Sequence, residues 1–235
     1  MISLITNNYK TSQFKSEPAF GRRISVPVNM PVNIIENIMN GSISKHFVPT
    51  TSSVVEKMID FLGPIKASDK ILEPSAGYGH IADKLVKKAN VLPNQIDVIE
   101  PVELLRQMLH SKGYNLVGYD VMNYRPKKLY DKVIMNPPFD NGSDILHLLR
   151  AFNMLKTNGR LVAILPENDF IPKRQAGYEK WVKDWLGNGE RKEINEYLEE
   201  LLNTNDSKVI KLGKVFKDSD VPDDVETRLV VINKR

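Results

Sequence analysis

The residue types best suited to chemistry stand in one short stretch, Asn136-Pro137-Pro138-Phe139, directly after the apolar run of residues 130–135. That run predicts a short buried strand, so the stretch follows the strand's carboxyl end. Prolines lack an N–H and extend the residue before them, so carbonyl oxygens here can face a ligand beside the Asn136 amide. Two such acceptors could hold both hydrogens of an exocyclic amine while its nitrogen attacks an electrophile, with Phe139 stacked on the base. The alternative is a proline-rich turn, with Asn136 as a cap and Phe139 in the core.

Three acidic residues are predicted to follow strands at the same edge of a sheet. Glu73 opens Glu73-Pro74-Ser75-Ala76-Gly77-Tyr78-Gly79, whose glycines permit a tight turn close to a ligand. This stretch lacks the dinucleotide-binding glycine pattern and the lysine of a phosphate loop, which favours a ligand made of adenine, ribose and an amino acid. Glu100 is placed to accept both ribose hydroxyls, and Asp120 to accept from an adenine amino group covered by Val121. Each acid could instead cap a helix.

Short apolar runs alternate with amphipathic helices through most of the chain, which predicts parallel strands with helices on both faces. Parallel strands bring their carboxyl ends to one edge, where ligands bind in open α/β folds. Strands are predicted at residues 70–73, 95–100, 115–119, 131–135 and 160–165, and helices after Ser52 or Ser53, after the glycines, from Pro101 and over 145–155. Two final runs, 208–212 and 228–232, are expected to finish the sheet as an antiparallel pair.

Two segments depart from this alternation. Residues 1–46 are expected to form an irregular N-terminal arm before a catalytic domain that runs over 47–235. A helical insertion is expected at about 170–207, where Tyr178, Trp181 and Trp185 have a spacing more typical of a buried stripe than of a base-stacking surface. Basic residues in the insertion could contact phosphates without reading sequence. Because both segments are short, we expect a short or relaxed recognition site, or help from a partner.

The composition fits one large α/β domain of 235 residues with a net charge of +4. Cysteine is absent, which excludes disulfides, thiolate zinc sites and cysteine nucleophiles, and the histidines have no metal-ligand spacing. No metal is therefore expected. No apolar run is long enough to span a bilayer and no signal peptide is recognised, so a cytoplasmic protein without membrane contact is expected. The mildly basic charge is compatible with a nucleic-acid partner.

On these residues the sequence resembles the class I S-adenosylmethionine-dependent methyltransferases, and among them the amino-methylating DNA methyltransferases. Phe47-Val48-Pro49-Thr50-Thr51 is similar to the family's motif before the first strand, where the aromatic residue and the Pro-Thr backbone contact the methionine part of the cofactor. Residues 72–79 resemble its glycine motif, and Asn136-Pro137-Pro138-Phe139 its catalytic tetrapeptide. The order of these motifs resembles the gamma arrangement, and residues 226–232 resemble the last strand of small phage- and plasmid-borne members.

The resemblance implies a Rossmann-like α/β fold with a seven-stranded, mostly parallel sheet and an antiparallel last strand. It implies S-adenosyl-L-methionine as cofactor and methyl transfer to the N6 amino group of adenine in DNA after base flipping. Catalysis is then expected from Asn136, Pro137, Pro138 and Phe139. The residues expected to contact the cofactor are Phe47, Pro49, Thr50, Glu73, Ser75, Ala76, Gly77, Gly79, Glu100, Pro101, Asp120, Val121 and Asn136.

Other functions stay open on the sequence alone. Double-stranded DNA is the expected partner, but an RNA adenine-N6 methyltransferase would suit the small recognition region. A protein-glutamine methyltransferase uses the same amide chemistry, although those enzymes more often end the tetrapeptide in tyrosine. A catalytically inactive binding protein is opposed by the intact acids and tetrapeptide. The sequence implies no oligomeric state.

Overall fold

A computed structural model describes residues 50–139, 143–167, 191–216 and 225–235, without the side chains of residues 191–195. The expected contacts of Phe47 and Pro49, the arm over 1–46 and most of the helical insertion therefore lie outside the described residues. The elements are α1 (Ser52–Leu62), β1 (Ile71–Glu73), α2 (His80–Ala89), β2 (Ile96–Ile99), α3 (Glu103–Ser111), β3 (Asn115–Gly118), β4 (Tyr130–Met135), α4 (Ser143–Asn153), β5 (Leu155–Pro166), α5 (Arg191–Thr204), β6 (Asp206–Gly213) and β7 (Thr227–Asn233).

Seven strands form one mixed sheet in the order β3-β2-β1-β4-β5-β7-β6. The pairs β1–β2, β1–β4, β2–β3 and β4–β5 are parallel. The last strand, β7, runs antiparallel to both of its neighbours, β5 and β6. The predicted Rossmann-like α/β fold, with its antiparallel last strand, is thereby confirmed.

The strands are apolar on both sides because helices cover both faces of the sheet. In β4, for example, Val133, Ile134 and Met135 are all fully buried, and neighbouring residues alternate between two core clusters. One cluster joins the sheet to α1 and α2, and the other joins it to α4 and α5. Both layers of helices thus hold the same sheet, and the loops that follow its parallel strands are left at its carboxyl edge.

The centre of the sheet is the point where the strand order changes direction. From β1 the chain passes through α2 to β2 and β3 on one side, whereas β4 and β5 lie on the other side. In open α/β sheets this switch point is where a crevice forms outside the carboxyl ends of the strands. The loops after β1 and β4 border that crevice, and they carry the predicted glycine stretch and the predicted tetrapeptide.

Some element boundaries differ from the sequence predictions. Thr51, rather than Ser52 or Ser53, is the N-cap of α1, and its hydroxyl makes no capping hydrogen bond. Pro101 precedes α3 instead of opening it, because Val102 is the N-cap and the helix begins at Glu103. In the sheet, β6 begins at Asp206, within the stretch that was expected to be helical. Among the described residues, no helix has both the length and the apolar character needed to cross a membrane.

Candidate cofactor and acceptor site

Parallel pairing brings the predicted functional residues to one edge of the sheet. Glu73 is the last residue of β1, Glu100 directly follows β2, Asp120 comes two residues after β3, and Asn136 directly follows β4. Because the carboxyl ends of neighbouring parallel strands share an edge, these four residues lie at the same edge of the sheet. This arrangement is the one the sequence predicted.

The glycine stretch forms a tight turn against the end of β2. The Ala76 N–H donates to the Ile99 carbonyl at 3.1 Å, and the Gly79 N–H donates to the Ala76 carbonyl at 2.8 Å. Gly77 and Gly79 have φ of 56° and 89°, in the left-handed region that favours glycine. A Cβ added to Gly79 would lie 2.8 Å from Cδ2 of Leu109 on α3. The turn therefore depends on glycine for its conformation and, at Gly79, for its close packing.

Glu100 is held between this turn and the start of α3. One carboxylate oxygen accepts the Gly77 N–H at 2.8 Å, and the other accepts the Val102 N–H at 2.9 Å. Burial raises the pKa of Glu100 to about 7, although both backbone hydrogen bonds favour the ionised form. The carboxylate expected to bind ribose is thus fixed in position and titrates near neutral pH.

Glu73 presents a buried acceptor that fits the cofactor. Its side chain is 1% exposed, and its Oε2 atom has no hydrogen-bond partner among the described residues. Burial, and then the nearby Asp83 carboxylate, raise the pKa of Glu73 well above its usual range. Leaving such an oxygen buried and unpaired is costly. The amino group of an amino-acid ligand would supply the missing donor, so the residues present fit S-adenosylmethionine.

Asp120 and its neighbours also organise their own loop. One Asp120 oxygen accepts the Met122 N–H at 2.9 Å, and the other accepts the side-chain amide of Asn123. The alternative considered for this acid, a helix cap, is wrong, because no helix lies between β3 and β4 in this fully described stretch, and the two bonds close a turn instead. Val121 is 2% exposed and packs in the core with Ile99. Each carboxylate oxygen can accept more than one hydrogen bond, so the loop bonds are compatible with a contact to adenine.

Two further residues expected to contact the cofactor, Ser75 and Pro101, differ in their local contacts and exposure. The Ser75 hydroxyl donates to the Pro74 carbonyl at 2.8 Å, within the turn itself. Pro101 is exposed in the bend that leads into α3. Both belong to loops at the carboxyl edge of the sheet, Ser75 after β1 and Pro101 after β2.

Asn136 is oriented by Thr50, from the segment before α1. The Asn136 Nδ2 atom donates to the Thr50 hydroxyl at 2.9 Å, and Thr50 is 4% exposed. Since this bond fixes the nitrogen end of the amide, Oδ1 is the end that can act as the acceptor for a substrate amine. The Pro138 carbonyl accepts the Ser143 hydroxyl at 2.9 Å, which ties the tetrapeptide to the start of α4. The sequence assigns Thr50 to the cofactor and does not predict its bond to Asn136.

Phe139 is paired with an aromatic residue that the sequence analysis missed. The rings of Phe139 and Phe216 lie 5.5 Å apart at 64°, an edge-to-face arrangement. Phe139 is half-buried, whereas Phe216 is 4% exposed and follows β6. The available signal was an aromatic residue just after an apolar strand, but only the strand order brings that loop to the carboxyl edge.

Comparison with known proteins agrees with this geometry. Residues 47–197, more than half of the chain, match the family described as "Methyltransferase small domain". The chain belongs to this family. Its methyl donor is S-adenosylmethionine, so the fit of Glu73 to an amino-acid ligand and the family membership identify the same cofactor.

Two solved structures show the same fold at low sequence identity. The methyltransferase subunit of a type I restriction-modification system from Streptococcus thermophilus superposes with a TM-score of 0.58 at 17% identity, over 86% of this chain and 48% of that one. Geranyl diphosphate C-methyltransferase from Streptomyces coelicolor A3(2), solved with S-adenosyl-L-homocysteine, gives 0.54 at 12% identity, over 78% and 79% of the two chains. At such low identity the likeness shows the fold alone, and a fold does not define the substrate.

A curated relative matches part of the sequence. Ribosomal RNA small subunit methyltransferase A from Borrelia garinii subspecies bavariensis is 32% identical over 107 residues, which cover 44% of this chain and 38% of that protein. The chain thus matches well under half of this relative's length.

Proposed function

We propose that this protein transfers a methyl group from S-adenosylmethionine to the N6 amino group of adenine in DNA. The observation that carries the proposal is the Asn136 amide, which follows β4 at the switch point with its nitrogen held by Thr50. This orientation presents an oxygen acceptor in front of two prolines, beside the crevice bordered by the glycine turn. An acceptor so placed suits a planar amine rather than a carbon or hydroxyl acceptor.

The residues of the tetrapeptide would act on the amine as hydrogen-bond acceptors. The lone pair of adenine N6 is delocalised into the ring, which makes this nitrogen a poor nucleophile. Asn136 Oδ1 and the Pro137 carbonyl would accept the two amino hydrogens, draw the nitrogen toward tetrahedral geometry and stabilise the positive charge that develops on it. When bound, the cofactor would supply an electrophilic methyl group from its sulfonium and leave as S-adenosylhomocysteine, and the methylated amine would lose one proton to water. Glu73, Glu100 and Asp120 would hold its amino group, ribose and adenine.

The aromatic pair would receive the base. Adenine N6 is hidden in a duplex, so the base must leave the stack at a cost of a few kcal/mol. Stacking on Phe139 would recover part of that cost, and the edge-to-face contact with Phe216 would keep the Phe139 ring in position. Because both residues lie at the carboxyl edge, the base would enter on the β4–β5 side of the crevice while the cofactor lies over β1 and β2.

Isotopically labelled S-adenosylmethionine identifies the acceptor. The protein is incubated with unmethylated double-stranded DNA, and separately with RNA, and each product is digested to nucleosides for mass spectrometry. We expect labelled N6-methyldeoxyadenosine from the DNA. If the label is found in N4-methyldeoxycytidine, the acceptor is still an exocyclic amine, but the base is cytosine and not adenine. The absence of label from both nucleic acids would contradict the proposal.

RNA is the second candidate acceptor, and one observation favours it. The curated relative with 32% identity is a ribosomal RNA methyltransferase, although the match covers only part of either protein. The same acceptors and the same aromatic pair would serve an adenine in RNA, because N6 and its ring are identical there. Label found only in N6-methyladenosine from RNA would select this candidate.

A further inference from the structure

The carboxyl ends of β2 and β3 are joined less regularly than the rest of the parallel sheet. Their register shifts between Val98 and Ile99. Beyond that shift, the Glu100 N–H reaches the Gly118 carbonyl at 3.4 Å, longer than the usual 2.9–3.0 Å. Irregular pairing of this kind locally weakens a ladder. Glu100 and Asp120, the acids assigned to ribose and adenine, both follow these loosely joined ends.

Arg106, on α3, connects the two strand ends directly. Its Nη1 atom donates to the Glu100 carbonyl at 3.1 Å and to the Gly118 carbonyl at 2.6 Å. The guanidinium carbon lies 3.5 Å from the centre of the Tyr119 ring, and the Arg106 side chain is only 11% exposed. A guanidinium that is stacked and hydrogen-bonded to two backbone carbonyls is not presented to a phosphate. Its contacts are those of an internal clamp.

Arginine has the chemistry that such a clamp needs. Hydrogen bonds from a charged donor are stronger than neutral ones, and the guanidinium stays charged at every physiological pH. Its guanidinium carbon lies over the Tyr119 ring while Nη1 donates to both carbonyls. A lysine would supply the charge as a point, without the flat guanidinium group that covers the ring. The position therefore uses several properties of arginine together.

We propose that Arg106 is a positioning residue that sets the separation between Glu100 and Asp120 and so fits the sheet edge to a ribonucleoside. The inference rests on the proposed roles of these two acids toward the cofactor. With the strand ends clamped, Glu100 faces the ribose hydroxyls while Asp120 stays at the adenine. Without the clamp, the stretched Glu100–Gly118 bond is left to hold the strand ends, and the two acids no longer act together on one ligand.

Binding of the nucleoside half of the cofactor tests this role without any methyl acceptor. We would measure, by calorimetry, the affinities of 5′-deoxy-5′-methylthioadenosine and its 2′-deoxy counterpart for the wild type and for Arg106→Met. The wild type is expected to prefer the ribonucleoside, because Glu100 accepts from its hydroxyls. Arg106→Met is expected to bind the ribonucleoside about tenfold more weakly and to lose most of that preference. General damage to the fold would weaken both ligands equally and leave their ratio unchanged.

Glu103→Gln is the matched control on the same helix. The Glu103 carboxylate lies 3.6 Å from Arg106 Nε and is 67% exposed, so its loss should change neither affinity nor preference. Arg106→Lys serves if Arg106→Met does not fold, and it is expected to show a reduced preference as well. A variant at position 106 that keeps the wild-type preference would overturn the clamp.

Glu100→Gln separates failure of the clamp from failure of the proposed cofactor contacts. If this variant loses the preference for the ribonucleoside while Arg106→Met retains it, the clamp is wrong and the ribose contact stands. If Glu100→Gln also retains the preference for the ribonucleoside, the assigned contact between Glu100 and the ribose is wrong, and the proposed role of Arg106, which depends on that contact, is wrong too. If the wild type binds neither nucleoside, both assignments are overturned.

Discussion

The hydrogen bond between Thr50 and Asn136 is the contact closest to the proposed chemistry. It joins a buried hydroxyl to the amide that would face the substrate amine, across a separation of 86 residues in sequence. Asn136 follows β4 and Thr50 precedes α1, so residues from two different parts of the fold fix the orientation of the Asn136 side-chain amide. The hydroxyl can therefore be removed without changing the backbone that the cofactor is expected to contact.

Thr50→Val should slow methyl transfer and leave cofactor binding nearly unchanged. Valine keeps the volume of threonine but cannot accept from Nδ2, so the amide loses the bond that orients it. A typical net hydrogen bond of about 1 kcal/mol corresponds to an approximately fivefold slower single-turnover rate. Thr51→Val is the control, because Thr51 is exposed and its hydroxyl caps nothing in α1. Equal rates for the two variants would contradict the role of Thr50.

Glu100 should make nucleoside binding depend on pH. Its pKa of about 7 means that the carboxyl group is mostly protonated at pH 6 and mostly ionised at pH 8. If the ionised form accepts the ribose hydroxyls, 5′-deoxy-5′-methylthioadenosine should bind about tenfold more tightly at pH 8 than at pH 6. This nucleoside has no amino-acid group, so its own charge is constant over that range. The measurement is calorimetry at both pH values.

Glu100→Gln is the control for this pH dependence. Glutamine cannot ionise, so its weaker binding should be the same at pH 6 and pH 8. A pH dependence that survives in Glu100→Gln would contradict the assignment and would point to Glu73, whose pKa is also raised by burial.

At the scale of elements, the turn between β1 and α2 sets the position of the cofactor loop. Gly79 is the N-cap of α2 in a left-handed conformation, and α3 packs directly against it. The loop is also held by Lys112, the C-cap of α3. Its Nζ atom donates to the Tyr78 carbonyl at 2.6 Å and to the Asp83 carboxylate at 2.7 Å. The turn is thus fixed by its own backbone and by the end of α3.

Gly79→Ala should destabilise the protein and weaken cofactor binding. The left-handed conformation costs a non-glycine residue roughly 1–2 kcal/mol, and the clash with Leu109 adds a packing cost of about 1 kcal/mol or more. Gly213→Ala is a matched control, since Gly213 has φ of 71° but no atom within 4 Å of an added Cβ. We expect thermal unfolding to show a larger loss for Gly79→Ala, with cofactor affinity reduced only there. Equal losses of stability and unchanged affinity would contradict this account.

At the scale of the molecule, local sequence patterns predicted the helices and strands, whereas the contacts between them depend on long-range packing. The apolar runs at 131–135 and 228–232 were recognisable as strands because each is buried on both faces of the sheet. The sequence did not indicate that β7 lies between β5 and β6, because the sequence of one strand does not specify which strands it pairs with. Phe216 was missed for this reason, and Arg106 because its partners are backbone carbonyls, which leave no sequence pattern.

At the scale of the molecule, the breadth of target recognition is also open to prediction. The segments that the sequence assigns to contacts with flanking nucleotides, residues 1–46 and about 170–207, are short. We therefore expect methylated adenines in an unmethylated plasmid to share a short or degenerate surrounding sequence, as mapped by sequencing that detects N6-methyladenine. A long, strictly defined recognition site would contradict this expectation.

The single-turnover rate of Asn136→Ala, measured with saturating cofactor and acceptor, tests the amide mechanism most directly. Removing an acceptor of developing charge should raise the barrier by about 2–4 kcal/mol, a loss of roughly thirty- to a thousandfold in rate. Circular dichroism and calorimetry with S-adenosylhomocysteine would establish that the variant is folded and still binds its cofactor. A folded, cofactor-binding Asn136→Ala protein that transfers methyl groups at a near-normal rate would show that the Asn136 amide is not the acceptor of the substrate amine.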